Sequence, residues 1–158
     1  MSREIKFRAW DKDEKCMIYN VQDTYDYKCG NDGALAESFK EVLEDKDRYD
    51  VMEFISLPSI KGEDIYEGDI VRRRSYTDYD AYANVSEIRG VVEFRDYAWC
   101  IVQRNEDEKD YVTPLFMEAE FGLIREIEIL GNIYENPELA STVGIIGYTN
   151  ESALLPAT

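Results

Sequence analysis

The sequence predicts a mainly β fold of the α+β type, built on a small antiparallel barrel with an N-terminal hairpin and one amphipathic helix. Three observations support this fold class. Charged and apolar residues alternate with a period of two near the N-terminus, as in a half-buried strand. Runs rich in β-branched and aromatic residues recur from residue 51 onward, with turn residues between them. A single stretch before them has helical spacing.

The first element is a predicted hairpin. In residues 4–10, Ile5, Phe7 and Ala9 lie on one face of a strand, with charged residues on the other. Residues 11–15 form a polar run typical of a turn, and residues 16–21 return as the partner strand. The chain therefore begins with an antiparallel pair.

A loop and a helix follow the hairpin. Residues 23–33 contain two glycines in no periodic order, which indicates a loop. Residues 34–46 have an apolar stripe at helical spacing, with Asp32 near the start as a candidate N-cap. The stripe consists of Leu35, Phe39, Val42 and Leu43. We expect the helix to bury this stripe and to expose its acidic face.

Strand patterns dominate the rest of the sequence. They cover residues 51–55, 69–72, 90–94, 99–102 and 127–134. Because turns rather than helical patterns separate them, we expect an antiparallel sheet that is closed or nearly closed into a small barrel resembling a Src-homology-three-like barrel. The tyrosine-rich residues 75–87 lack periodicity and are interpreted as a mobile loop.

The length of 158 residues fits one domain. We predict a single domain over residues 1–139, with the hairpin and helix in 1–50 and the barrel core in 51–139. Pro137 ends the last clear strand because proline lacks the amide hydrogen that a ladder needs. The C-terminal tail, 140–158, contains an apolar patch and is either an added strand or a segment ordered only by contact with another chain.

Composition excludes several classes of function. The chain has no histidine, which removes Ser-His and Cys-His catalytic pairs and the commonest neutral metal ligand. The 34 acidic residues against 18 basic ones give a net charge of −16, and that charge repels phosphate backbones. General nucleic-acid binding and most familiar hydrolase chemistry are disfavoured.

Composition also predicts the compartment. Apolar runs are far shorter than the roughly 20 residues that span a bilayer, and the N-terminus lacks the core of a signal peptide. The three cysteines have no C-x-x-C spacing and are interpreted as reduced thiols. We therefore expect a cytoplasmic protein with no membrane segment.

Three stretches taken together resemble one protein family. They are residues 3–11 (REIKFRAWD), 62–71 (GEDIYEGDIV) and 129–139 (ILGNIYENPEL), in matching order and spacing. This combination is similar to the YopX family of phage and prophage proteins, over roughly residues 2–139. The resemblance implies a phage or prophage origin and residence in the cytoplasm of the bacterial host. It implies no assigned activity and no catalytic residues.

The residues of these motifs indicate a structural role. Gly68 stands before an apolar strand, where a tight turn needs positive φ. Gly131 lies within the last strand, where it permits a bulge. Asp64, Glu67 and Asp69 are close enough in sequence to suggest Mg²⁺ or Ca²⁺ ligands, but acids on a turn are usually solvated. We predict no metal site and no cofactor.

The candidate binding residues combine a basic run with interleaved aromatic residues. They are Arg72, Arg73, Arg74, Tyr76, Tyr79 and Tyr82. Such a pattern can hold single-stranded nucleic acid through charge and stacking, and it serves equally well as a protein interface. The alternative is structural: the arginines pair with acids such as Asp78 and Asp80, and the tyrosines pack against the sheet.

The leading hypothesis is a protein of unknown function that is not an enzyme and acts by binding another protein, itself included as a homo-oligomer. It depends on what is absent, because the sequence shows no nucleophile with a base, no phosphate-binding glycine loop and no credible metal cluster. The alternative is an acidic nucleic-acid mimic that binds a host DNA-handling protein. A third hypothesis is direct nucleic-acid binding through Arg72–Arg74 and the nearby tyrosines.

Overall fold

The fold of the protein is seen in a computed structural model. It describes residues 2–23, 28–29, 34–35, 38–77, 85–104, 109–115, 123–141 and 147–149. Antiparallel strands dominate these ranges, and the two helices found there are short. The predicted mainly β fold class is confirmed. The chain divides into two compact units, Met1–Leu57 with Asp64–Glu67, and Pro58–Glu63 with Gly68–Thr158.

The first unit contains one four-stranded sheet, a short strand pair and a helix. Its elements are β1 (Phe7–Asp11), β2 (Cys16–Tyr19), β3 (Lys28–Cys29), β4 (Ala34–Leu35), α1 (Phe39–Glu44), β5 (Tyr49–Pro58) and β6 (Asp64–Tyr66). The strand order is β2-β1-β5-β6, and β3 pairs with β4. β1 is antiparallel to both of its neighbours, which confirms the N-terminal hairpin.

The core of the first unit forms where one face of β1 meets α1. Ala9 is fully buried in a cluster with Ile18, Val21, Val42 and Tyr49. The predicted polar face of β1 is buried as well. Arg8 is only 3% exposed, and its guanidinium lies 4.7 Å from the centre of the Tyr66 ring, so a cation–π contact replaces the expected solvation.

The helix is shorter than the predicted 34–46. Ser38 is its N-cap, and a capping box forms, since the Ser38 hydroxyl accepts from the Glu41 N–H at 3.3 Å while the Glu41 carboxylate accepts from the Ser38 N–H at 2.6 Å. Because these bonds define the start, Leu35 lies in β4 instead. The candidate cap Asp32 falls outside the described residues.

The second unit contains the larger sheet. Its elements are β7 (Asp69–Thr77), β8 (Val85–Arg95), β9 (Ala98–Gln103), β10 (Tyr111–Pro114), β11 (Leu123–Asn132), α2 (Pro137–Ser141) and β12 (Gly147–Thr149). The order is β10-β9-β8-β7-β11, and β12 also pairs with β8. The sheet curls into a half-barrel. The pairing of β12 shows that part of the predicted tail is an added strand.

Two predicted boundaries differ from those in the structure. β7 runs to Thr77 and β8 starts at Val85, so the predicted loop of 75–87 is shorter, and residues 78–84 lie outside the described ranges. The predicted strand 51–55 belongs to β5 and pairs with β1, so it joins the first sheet and not the barrel core. Its local pattern suits either sheet, and only the pairing decides between them. That residues 1–139 form a single domain stays a prediction.

Two predicted glycine roles agree with the structure. Gly68 has a φ of +82° in the turn before β7, in the left-handed region that glycine enters at little cost. The register of β11 against β7 shifts between Ile129 and Gly131, which confirms the bulge. A Cβ at position 131 would lie 2.5 Å from Oδ1 of Asn136, so only glycine leaves room for that side chain.

The cysteines divide into two kinds. Cys16 is disulfide-bonded, which corrects the prediction of a reduced thiol at this position. Cys100 is a free thiol, as predicted, and it is buried. In the described part of the chain, the helices are too short and too polar to cross a bilayer.

Candidate functional site

The three predicted arginines lie on β7 and alternate between its faces. Arg73 is 5% exposed and points to the buried face, whereas Arg72 and Arg74 point to the opposite one. The run therefore does not form one continuous basic patch. Each arginine has a separate structural setting.

Arg72 and Arg74 are both engaged with carboxylates. Arg72 pairs with Glu128, which also binds Lys61 at 3.4 Å. These cations hold the pKa of the Glu128 carboxyl below its usual range, with Arg72 contributing most. Such pairing leaves less positive charge available to a phosphate.

Glu87 plays the same part for Arg74. Its carboxylate lies 3.1 Å from Arg74 and 2.7 Å from Arg89. Burial alone would raise the pKa of Glu87, but the two guanidiniums outweigh it and lower that pKa. The acids that pair with the arginines are thus on neighbouring strands. The acids named from the sequence, Asp78 and Asp80, lie outside the described residues.

Arg73 connects two strands that are not neighbours. Its Nη1 donates to the Pro114 carbonyl at 3.1 Å, so the side chain reaches from β7 to β10. A buried guanidinium needs hydrogen-bond acceptors, and a carbonyl at the edge of the curled sheet supplies one. This position makes Arg73 part of the interior of the second unit and not an exposed binding residue.

The predicted tyrosines remain largely untested. The backbone of Tyr76 belongs to β7, and Tyr79 and Tyr82 lie outside the described residues. In the described part of the chain, the three arginines lie on two faces of β7, and the part that the tyrosines play stays a prediction.

The acids around the central motif have individual roles. Asp64 binds Lys6 at 2.8 Å, and Asp69 is 1% exposed. Within the ranges that the structure covers, no three Asp, Glu, Cys or His side chains group as metal ligands. The hydrogen bond to Asp64 raises the pKa of Lys6, so this acid is engaged in an ion pair.

A different surface stands out on the β8–β9 hairpin and the adjoining β10. We call it the hairpin surface and define it by five side chains at this end of the sheet: Phe94, Tyr97, Trp99, Tyr111 and Val112. Phe94, Trp99 and Tyr111 share one face of the sheet, whereas Val112 lies on the other. Tyr97 is 97% exposed, and Phe94 and Tyr111 are each more than half exposed. The rings of Phe94 and Trp99 pack edge to face with centroids 5.2 Å apart. Exposed aromatic side chains held in fixed positions are typical of protein interfaces.

The turn of this hairpin is conformationally costly. Arg95 pairs with Ala98, so the loop has two residues, Asp96 and Tyr97, with φ of 49° and 65°. Both values are positive, as in the turns that strongly prefer Asn-Gly. A tyrosine in this region costs about 1–2 kcal/mol relative to a favourable conformation. Its ring, almost fully exposed, buries nothing within the described part of the fold to compensate for that cost.

A charged network lies on the face of the β8–β9 hairpin opposite Phe94 and Trp99, and a cavity lies beside it. Glu93 binds Arg95 at 2.8 Å and also pairs with Arg104, while Asp110 lies 2.5 Å from Arg104 and 3.6 Å from Arg95. These ion pairs raise the pKa of Arg95, with Glu93 contributing most. Beside the network is an open cavity of about 440 Å³, lined by Asp96, Lys109, Asp110, Tyr111 and Val112. A cavity with charged side chains and Tyr111 in its lining can hold a peptide or a protein loop.

Sequence reasoning did not find the hairpin surface. One signal was present: two strand patterns, 90–94 and 99–102, are close enough for a tight hairpin, yet no Asn-Gly or Asp-Gly stands between them. A tyrosine is unfavourable in such a turn, so the geometry of the turn does not explain its presence there. Exposure of the ring is a property of the folded sheet, so the pattern alone does not reveal it.

Comparison with known proteins places the chain in a family. No curated protein matches it. Among solved structures, it is similar to the crystal structure of protein EF1440 from Enterococcus faecalis, with 24% identity and a TM-score of 0.40, over 88% of this chain and 99% of that one. The family model described as YopX protein matches residues 6–141, most of the chain, which confirms the resemblance found in the sequence. The chain therefore belongs to the YopX family.

Proposed function

We propose that this YopX-family protein is a non-enzymatic module that binds another protein through the hairpin surface. The observation that carries the proposal is Tyr97, a fully exposed ring on a residue with a φ of 65°. Backbone strain of this kind persists where function requires it, since glycine would relieve it at no cost to packing. Tyrosine is also among the residues that contribute most to binding at protein interfaces.

Features around Tyr97 support the same proposal. Phe94 is more than half exposed and packs on Trp99, which adds apolar surface beyond the single ring of Tyr97. The arginines and acids of the network lie on the opposite face of the hairpin from Phe94 and Trp99, so charged groups are available next to the same turn. An exposed aromatic ring on a turn with positive φ fits a docking surface better than a solvated hairpin.

Binding is favoured over catalysis by the chemistry of the described groups. The free thiol, Cys100, is buried, and burial raises its pKa, which reduces its nucleophilicity. The sequence contains no histidine to activate a hydroxyl or a thiol. The proposal includes a phage or prophage origin and action in the cytoplasm of the bacterial host, as the family resemblance implies.

The nucleic-acid hypothesis receives less support. Arg72 and Arg74 are paired with Glu128 and Glu87, and Arg73 is buried. Stacking and phosphate contact need exposed and uncompensated groups. The acidic-mimic hypothesis is supported by the net charge of −16 alone, and we do not develop it as a separate function.

The test compares two glycine variants. Tyr97→Gly removes the exposed ring from a positive-φ position, and Lys15→Gly makes the same backbone change at an exposed turn of the other hairpin, where φ is 53°. Proteins captured from the bacterial host by the wild type are purified, and their affinities for all three forms are measured by calorimetry. Sedimentation of each form alone tests self-association.

We expect Tyr97→Gly to weaken the interaction at least about tenfold, as loss of a central aromatic does at interfaces, and Lys15→Gly to leave it unchanged. Equal affinity of the wild type and Tyr97→Gly for every partner would overturn the proposal. So would the absence of both a purified partner and self-association.

A further inference from the structure

The hairpin surface adjoins a free edge of the larger sheet. β10 ends the order β10-β9-β8-β7-β11, and no strand of the described part pairs with its outer side. An edge of this kind presents backbone groups that another chain can pair with. Tyr111 and Val112 are exposed at this edge.

The register shows which backbone groups point outward. Leu115 donates its N–H to the Trp99 carbonyl at 2.9 Å, so these two residues form a hydrogen-bonded pair of the ladder. Because such pairs alternate in antiparallel sheets, Tyr111 and Thr113 direct their backbone groups toward β9. Val112 and Pro114 direct theirs away from it.

One of these outward groups is already used. The Pro114 carbonyl accepts from Arg73, and proline has no N–H to offer. The N–H and the carbonyl of Val112 remain directed toward the outer edge. They are suitable for pairing with one residue of an added strand, and the cavity lies beside them.

The charge of the site selects the occupant. Asp96 and Asp110 line the cavity with Lys109, and Asp110 is shared by two arginines. Asp96 forms no ion pair within 4 Å among the residues described, although its charge, after those of Glu93 and Asp110, helps to raise the pKa of the neighbouring Arg95, and it directly precedes the exposed Tyr97. A lysine or arginine side chain matches both groups, through charge with the carboxylate and through cation–π contact with the tyrosines. The chain as a whole, at −16, attracts a basic partner.

We propose that the partner of the hairpin surface adds an extended basic segment to β10, paired with Val112 and with a lysine or arginine side chain in the cavity against Asp96. The inference rests on the proposed function, because it names the partner's chemistry at the same surface. The backbone of Val112 supplies the affinity of strand addition, and Asp96 with the tyrosines supplies the preference for a cation.

The experiment uses the full chain, labelled with ¹⁵N, and a hexapeptide of alternating valine and lysine as the probe. Two further probes carry glutamate in place of lysine, or N-methyl groups on every backbone amide. We expect saturable shifts centred on the Val112 amide with the lysine peptide. The N-methyl form should bind at least about fivefold more weakly for each hydrogen bond lost, and the glutamate form about tenfold more weakly.

Variants of the protein separate pairing from general charge attraction. Val112→Pro removes only an outward N–H, at a ladder position equivalent to that of Pro114, and Val112→Ala keeps the N–H while shortening the side chain. Val112→Pro should weaken binding about fivefold relative to Val112→Ala, as expected for one hydrogen bond. Asp96→Asn should weaken it about threefold, whereas Asp47→Asn, at an exposed acid in the first unit, should not.

The outcomes distinguish this inference from the proposed function. No saturable shifts at Val112, or equal binding of the N-methyl form, would overturn strand addition. Equal loss in Asp96→Asn and Asp47→Asn would overturn the cation site. If the purified partner is lost with Tyr97→Gly but binds Val112→Pro and Asp96→Asn as well as the wild type, the proposed function stands and this inference falls.

Discussion

The β1–β2 and β8–β9 hairpins each contain a non-glycine residue with a positive φ in the turn, but the contacts around the two turns differ. The turn between β1 and β2 contains Lys15 with a φ of 53°, and the turn between β8 and β9 contains Tyr97 with a φ of 65°. In the first hairpin, the Asp11 carboxylate accepts hydrogen bonds from the N–H groups of Asp13 and Glu14, at 3.0 and 3.2 Å. Arg48 binds the same carboxylate at 2.8 Å.

The two turns differ in whether the side chains around them stabilise the fold. Asp11 is 1% exposed, and its contacts stabilise the first turn from within. Tyr97 is almost fully exposed and contributes no such contact in the described part of the chain. Asp11, Gly68 and Asn132 all belong to the three family stretches and hold turns or bends, whereas Tyr97 lies outside those stretches. These motif residues thus hold turns of the fold, and the proposed binding surface lies between the second and third stretches.

The largest expected effect is on the first hairpin. Asp11→Ala removes the acceptor for two backbone amides and for Arg48, and we expect the free energy of unfolding to fall by about 2–3 kcal/mol. Urea unfolding measures this change. Asp13→Ala is the matched control, because its side chain is exposed and lies 3.7 Å from Arg48, and it should change stability by less than about 0.5 kcal/mol. A similar loss in both variants would contradict the structural role of Asp11.

A smaller effect of opposite sign is expected in the second hairpin. Tyr97→Gly relieves a positive φ and removes a ring that is exposed, so the free energy of unfolding should rise by about 0.5–1 kcal/mol. The same urea experiment detects it. A loss of more than about 1 kcal/mol would show that the ring stabilises the fold, and the comparison between the two hairpins would then fail.

The smallest effect is expected in the pH dependence of the free energy of unfolding, because burial and hydrogen bonding shift the pKa of Asp11 in opposite directions. Burial raises the pKa of its carboxyl, but Arg48 and the amides of Glu14 and Asp13 outweigh burial and lower it. Because the pKa of Asp11 is lower in the folded state, its stabilising contribution is complete above the pKa of the unfolded state, about 3.9. The contribution is lost as the pH falls through the pKa of the folded state. The stability difference between wild type and Asp11→Asn should therefore shrink below about pH 4. A difference that stays constant down to pH 3 would contradict it.

Much of the fold follows from local sequence patterns. Alternation in residues 4–10 and 16–21 predicts the first hairpin, and the glycines at 68 and 131 predict a turn and a bulge. The helix begins later than the apolar stripe predicts because the capping box of Ser38 and Glu41 fixes its first turn. Local hydrogen bonds decided that boundary.

The candidate site could not be predicted in the same way. A run of three arginines looks continuous in sequence, but the period of two in a strand separates Arg73 from Arg72 and Arg74. Their partners Glu87, Glu128 and Pro114 come from three other strands, at positions that no local pattern specifies.

The amino-acid sequence by itself determined the antiparallel strand pattern, the glycine-bearing turn and the family, because periodicity and turn chemistry act over a few neighbouring residues. Only the tertiary structure decided that β5 joins the first sheet, that Arg73 is buried and that Tyr97 is exposed. Strand partners and the burial of each face depend on contacts between residues far apart in the chain, and a local pattern is compatible with several such arrangements.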